Sequence, residues 1–218
     1  MVERFDLVVF DWDGTLIDST ATIARSIQAA AADLGLPVPD FERASHVIGL
    51  GLRDALAHAV PDLLPTQAAA FSERYRVHYL AAEDQFDLFN GARQLIEALR
   101  ARDMPLAIAT GKSRAGLRRA LESADMNGLF AATRCADQTH PKPHPAMLLE
   151  LTAELRVEPE RTLMIGDTTH DLQMAAAART HAVGVTHGAH HVEALRAMAP
   201  LALFDSLPAL QAWLLPKN

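Results

Sequence analysis

Short apolar runs with little alternation recur along this chain: Leu7 to Phe10, Leu106 to Ala109, Leu163 to Ile165, Ala182 to Val185 and Leu201 to Phe204. A strand with one wet face alternates apolar and polar residues, so runs without alternation indicate strands covered on both faces. Between the later runs, apolar residues fall three and four apart, the spacing of one helix face: Leu95, Ile96 and Leu99; Leu117, Leu121 and Ala124; Met147, Leu148, Leu151 and Leu155. Strand and helix in alternation predict a parallel sheet with helices on both sides.

One interval breaks that rhythm. From Leu16 to Gln85 there are helix signals but no buried strand: Ile23, Ile27, Ala31 and Leu34 repeat at helical spacing before Gly35, a second helix is expected over Arg53 to Ala59, and a third near Gln67 to Leu80. Pro37, Pro39, Pro61 and Pro65 fall between these helices, where proline suits a connector and would break a helix. The expected architecture is a Rossmann-like α/β core formed by residues 1–15 and 86–218, with a small all-helical cap, residues 16–85, inserted after the first strand. A chain of 218 residues, half of them apolar, is long enough for one core domain and a small insert.

Charge and cysteine content exclude several functions. The formal charge is −7 and no Lys/Arg-rich run offsets it, which argues against nucleic acid and anionic membrane as partners. The single cysteine, Cys135, follows an apparent strand and reads as packing; no intrachain disulfide is possible, and a reducing compartment is the simpler home. Met1 to Asp11 lacks the order of a signal peptide, and no apolar run reaches the length of a membrane span, so the expectation is a cytoplasmic protein.

The strongest chemical signal is Asp11-Trp12-Asp13-Gly14-Thr15-Leu16-Ile17-Asp18, directly after the first apolar run. Ligands of open α/β sheets bind outside the carboxyl ends of strands, which is where Asp11 and Asp13 fall. Carboxylates two apart on an extended chain point to opposite faces, so both serve one site only if the chain turns sharply, and Gly14 permits that. Alternatively, Asp and Gly are common in solvated strand-end turns. A calcium-binding loop fails on spacing, because Thr15 and Leu16 stand where such a loop needs Asp and Gly.

A second signal, Gly166-Asp167-Thr168-Thr169-His170-Asp171, again follows an apolar run and leads into a helical stretch. Alone it could be a helix N-terminus with favourable acids. If Asp11, Asp13, Asp167 and Asp171 converge, their repulsion requires protons or a cation, and an oxygen-only donor set suits Mg2+ better than zinc. Thr110 and Gly111, after the run ending at Ala109, offer a hydroxyl and an unobstructed N–H; Lys142, between Pro141 and Pro143, offers a positive charge. A bound phosphoryl group needs these features, although a lysine in a proline-rich loop is ordinarily just solvated.

Together these four ordered segments resemble the haloacid dehalogenase-like superfamily, and within it the phosphatases with a helical cap between the first two motifs, such as phosphoglycolate phosphatases. The resemblance covers nearly the whole chain. It implies that Asp11 attacks phosphorus, that Asp13 serves as general acid and then base and offers magnesium its backbone carbonyl, and that Asp167 and Asp171 complete the metal set. It further implies that Thr110 holds phosphoryl oxygens and that Lys142 balances charge. Dehalogenases of the superfamily lack the second aspartate, which is present here as Asp13. In the cap, Ile48-Gly49-Leu50-Gly51-Leu52-Arg53 resembles the substrate loop, with Gly49 and Arg53 as substrate contacts; an ordinary helix-start loop with a solvated arginine is the alternative. The chain departs from many relatives at Thr168, where they have Ser, and at Thr180, where they have Gly as a left-handed helix cap.

The expected function is therefore magnesium-dependent hydrolysis of a small phosphorylated metabolite, phosphoglycolate-like or a short sugar phosphate, by a monomer or homodimer. A β-phosphoglucomutase-type mutase would share the same aspartates, and a silent binding module would share the scaffold. A phosphonate hydrolase is disfavoured because no lysine lies between Thr15 and Gly111. His187, His190 and His191 read as a solvated loop and not a second metal site.

Overall fold

The computed structural model describes residues 4–82 and 86–216. Six strands form one parallel sheet: β1 (Leu7–Phe10), β2 (Leu106–Thr110), β3 (Ala132–Cys135), β4 (Thr162–Gly166), β5 (His181–Val185) and β6 (Leu203–Phe204), in the order β3-β2-β1-β4-β5-β6. The lack of alternation in the strand sequences has the expected cause, since both sheet faces are covered. Val8, Phe10, Ile108 and Ile165 face one apolar cluster with α5 (Ala92–Arg100), α6 (Arg114–Ser123) and α10 (Leu207–Leu214). Leu7, Val9, Ala107 and Met164 face the other with α7 (Ala146–Leu155) and α8 (Thr169–Ala178). A short helix, α9 (Val192–Ala197), links β5 to β6.

The insert after β1 carries α1 (Thr20–Asp33), α2 (Phe41–His46), α3 (Leu52–Ala59) and α4 (Ala68–Leu80). These have their own apolar cluster, in which Ile23 and Ile27 of α1 meet Leu56 and Phe71 across small residues such as Ala24, Ala31 and Ala55. Small side chains let helices approach closely, and the chain's many alanines serve that purpose here. Leu16 and Ile17 pack with the sheet cluster instead, so the helical part proper starts at Thr20. Its far limit as expected from sequence, Gln85, lies outside the described residues, as do Met1, Val2, Glu3, Lys217 and Asn218. Neither α2 nor β3 stands out as an apolar run: α2 is short, and β3 carries Thr133 and Arg134, with Arg134 ion-paired to Glu150 and Glu154 of α7.

The strand order reverses direction between β1 and β4. In doubly wound sheets the crevice outside the strand ends at that reversal is where ligands sit. Asp11 and Asp167 are the first residues past the ends of those two strands.

Candidate active site

The Asp11 backbone N–H donates to Ile165 O at 2.9 Å, continuing the ladder between β1 and β4, and its side chain is fully buried. Oδ1 accepts from the Trp12 N–H at 2.6 Å and lies 2.8 Å from Lys142 Nζ. Oδ2 is buried with no hydrogen-bond partner among the described residues. The same ammonium is 2.7 Å from Asp171 Oδ1, so Lys142, buried beside the two strand ends, bridges two carboxylates.

Asp167 is held from two directions. The Thr15 hydroxyl donates to Oδ1 at 2.7 Å, and the Ala189 N–H donates to Oδ2 at 2.7 Å. Asp171, in the first turn of α8, shares a capping box with Thr168: Oδ2 accepts from the Thr168 N–H at 3.1 Å and from its hydroxyl at 2.7 Å. The helix start thus fixes the carboxylate that faces the site. The left-handed residue ending α8 is Arg179, at φ 58°, and not Thr180, so the substitution at 180 leaves the helix cap unchanged.

Asp11, Asp167 and Asp171 each bring an oxygen within 4.8 Å of the others. Burial, together with the charges of Asp171 and Asp167, pushes the Asp11 carboxyl well above the usual carboxylate range against the pull of Lys142. Burial and the neighbouring Asp171 raise Asp167 to about 7. Burial pulls the Lys142 ammonium down, but Asp11 and Asp171 outweigh it and hold its pKa above the ordinary lysine value. Buried carboxylates outnumber the lysine here, one oxygen is orphaned, and every available donor is oxygen. A hard divalent cation such as magnesium fits that set, with Asp11, Asp167 and Asp171 as the clustered carboxylates able to hold it.

The turn after Asp11 brings Asp13 back toward the crevice. Gly14 has φ +77°, and its N–H donates to Ile17 O at 3.0 Å. An added Cβ there would lie 2.2 Å from Asp167 Oδ2, so only glycine fits both the backbone and the space. Asp13 Oδ1 accepts from the Ser19 hydroxyl at 2.6 Å and sits 3.0 Å from Lys112 Nζ. Lys112 also donates to the Tyr79 hydroxyl of α4 at 2.7 Å, linking Asp13 to the cap. Thr110, fully buried at the end of β2, accepts from the Lys112 N–H at 3.2 Å.

The cap loop lies directly over these groups. A Cβ built on Gly111 would be 2.5 Å from Leu50 O and 2.6 Å from Gly49 O, while one on Gly49 would be 3.8 Å from Asp11 Oδ2. Beside Asp13, Gly49 and Gly111 a cavity of about 400 Å³ opens between cap and sheet domain. Arg53, expected from sequence to meet substrate, is exposed on α3 and does not line this cavity; Arg76 and Arg119 do.

A second cap contact went unnoticed in the sequence. His190 is buried, not part of a solvated loop as its neighbours suggested. Its Nδ1 accepts from the Thr169 N–H at 3.0 Å, so Nε2 carries the proton and donates to the His46 backbone carbonyl at 2.9 Å. His170 Nε2 donates to the same carbonyl at 2.9 Å. The ring of His46 stacks on His190 at 4.5 Å, and burial lowers the His190 pKa to about 4. Two core imidazoles therefore grip the end of α2. Sequence proximity to His187 and His191 concealed this, because the partner is 144 residues away. Cys135 is buried in the sheet cluster, its thiol pushed up to about 12 by burial, as a packing residue would be.

The family model for haloacid dehalogenase-like hydrolases matches residues 8–185. The probable phosphatase IndB of Dickeya dadantii (strain 3937) is 34% identical over 207 residues, covering 92% of this chain and 89% of that protein. A phosphoglycolate phosphatase of Pseudomonas putida is 32% identical over 214 residues, covering 94% of this chain and 78% of that protein. Among solved structures, one described as a predicted phosphoglycolate phosphatase from Haemophilus somnus superposes with a TM-score of 0.84 at 26% identity, over 95% of this chain and 96% of that one.

Proposed function

The chain belongs to the haloacid dehalogenase-like hydrolase family and is a phosphatase, and on that premise we propose that it hydrolyses a small phosphate monoester, with magnesium, through an aspartyl-phosphate formed on Asp11. The observation that carries this reading is the Oδ2 of buried Asp11, without a hydrogen-bond partner among the described residues, at the sheet reversal beside Lys142 and opposite Asp167.

Asp11 Oδ2 attacks phosphorus, the bond from phosphorus to the ester oxygen breaks, and Asp13 gives a proton to the departing alkoxide. Water then attacks the aspartyl-phosphate, Asp13 takes its proton, and the bond from phosphorus to Asp11 breaks to release phosphate. Lys142 offsets the charge of nucleophile and phosphoryl oxygens, and Thr110 with the Gly111 N–H orients those oxygens. Magnesium, when bound, supplies further neutralisation of the phosphoryl charge. The closed loop at Gly49 excludes water while the first step proceeds.

The test is phosphate release from a panel of small monoesters, with magnesium and with chelator, for wild type and Asp11→Asn, with product analysis to separate hydrolysis from phosphoryl return to a sugar. Magnesium-dependent release that disappears in the variant is expected. Release that survives Asp11→Asn would overturn the assignment of the nucleophile.

A further inference from the structure

The cavity beside Asp13 carries information about the substrate that the strand-end motifs do not. If Asp13 protonates the ester oxygen, the leaving group must begin at Asp13 and extend into this cavity. Asp11, Thr110 and Lys142 do not line it, so its volume of about 400 Å³ is space for the leaving group and not for the phosphoryl group. Liquid water takes about 30 Å³ per molecule, so roughly a dozen waters would fill it, and a glycolyl group with its few heavy atoms would fill about a third. Unfilled space forfeits the close contacts that would position a substrate.

The walls indicate what fills the remainder. From the cap come Ile23 and Ile27 of α1, Val47, Ile48 and Leu50 from the segment after α2, and Leu80 of α4. Among the described residues the cap side adds Tyr75, Arg76 and Tyr79 to these aliphatic side chains, and Lys112, Ser113 and Arg119 lie on the sheet-domain side with Asp13. A sugar hydroxyl turned toward the aliphatic part of this wall would lose water without finding a side-chain partner there, whereas carbon placed there gains by leaving water. The Tyr75 ring, stacked on Tyr79 at 5.8 Å, adds an aromatic side chain to the lining.

From this we infer that the leaving group is a bulky, mainly apolar alcohol, aromatic or branched, on the order of ten heavy atoms in size, and that glycolate-sized and triose-sized phosphates are poor substrates. The inference rests on the phosphatase reading above and assigns the specificity of that same site to the aliphatic cap wall.

Ethyl, 3-methylbutyl and 2-phenylethyl phosphate release alcohols of similar acidity, so a rate series over them, with phosphoglycolate alongside, reads the pocket and not leaving-group chemistry. We expect kcat/KM to climb about tenfold or more from ethyl to 2-phenylethyl phosphate, with phosphoglycolate near the bottom, and Leu50→Asn to flatten the climb. The same esters titrated calorimetrically into Asp11→Asn with magnesium give affinities that need no turnover, and these should rank in the same order. A flat or falling affinity series, or phosphoglycolate at the top, overturns the inference. Affinities that climb with size while wild type releases no phosphate would keep this pocket assignment and overturn the hydrolytic reading instead.

Discussion

The sheet domain and the cap use their residues differently. At the sheet's reversal point, Asp11, Asp167, Asp171 and Lys142 are all sealed from water, each fixed by a strand end, a helix cap or an ion pair. In the cap, large apolar side chains reach solvent at Val38, Phe41, Leu52, Leu64, Val77 and Leu80, and its contributions over the site are mainly backbone and aliphatic wall, with Tyr75, Arg76 and Tyr79 beside them. Charges held at short range require a rigid shell, whereas a surface that closes over a substrate needs only shape. The difference assigns chemistry to one region and selection to the other, and it can be broken or sharpened by substitution.

The largest effect belongs to the nucleophile. Asp11→Asn should lower kcat by about 10⁴-fold or more while the thermal midpoint and circular dichroism stay close to wild type, since the amide has nearly the same shape. Lys142→Met should lose activity and also stability, by about 3–5 kcal/mol in denaturant titration, because Asp11 and Asp171 would be left buried without their cation.

Gly111→Val probes the boundary between the regions. The new side chain would meet the Gly49 and Leu50 carbonyls, which are backbone and cannot swing aside. Cap closure should be impeded, with kcat/KM falling about 100-fold and the melting of the sheet domain little changed. Equal loss of stability and activity would show the two regions to be one unit.

A smaller effect concerns metal and proton. Asp167 is held at about 7 by burial and by the charge of Asp171, above the roughly 3.9 of an unfolded aspartate. The metal-free native state therefore favours the proton: the associated stability is present in acid and is lost as pH rises through about 7. A cation takes over the proton's role only where the proton is easily displaced. The magnesium-induced rise in Tm should therefore grow between about pH 5.5 and about pH 8, measured by scanning fluorimetry with and without chelator. Arg53→Ala should do least, changing kcat/KM by less than about twofold for any ester, since an exposed side chain outside the cavity touches nothing there.

What could be read from sequence was whatever a strand or helix carries locally. The apolar runs marked β1, β2, β4 and β5, and the acidic and glycine residues at their ends marked the crevice, because the apolar character of a buried strand and the chemistry at its end are both local in sequence. What stayed hidden depended on distant segments meeting. The Lys112 side chain bonds Tyr79 across the cap interface, the Ala189 N–H reaches back to Asp167, and Thr15 pairs with an aspartate 152 residues on. Arg53 illustrates the converse: a plausible motif neighbour that the pitch of α3 turns toward solvent.

The grip of His170 and His190 on the end of α2 has a consequence for how this sequence can drift. Both imidazoles hold a main-chain carbonyl, which every amino acid supplies, so position 46 is open to substitution at the cost of its two ring contacts, stacked on His190 and edge-on to His170. The two histidines have no such latitude, since each supplies the ring N–H itself. Descendants of this chain should therefore change at 46 while keeping histidine at 170 and 190.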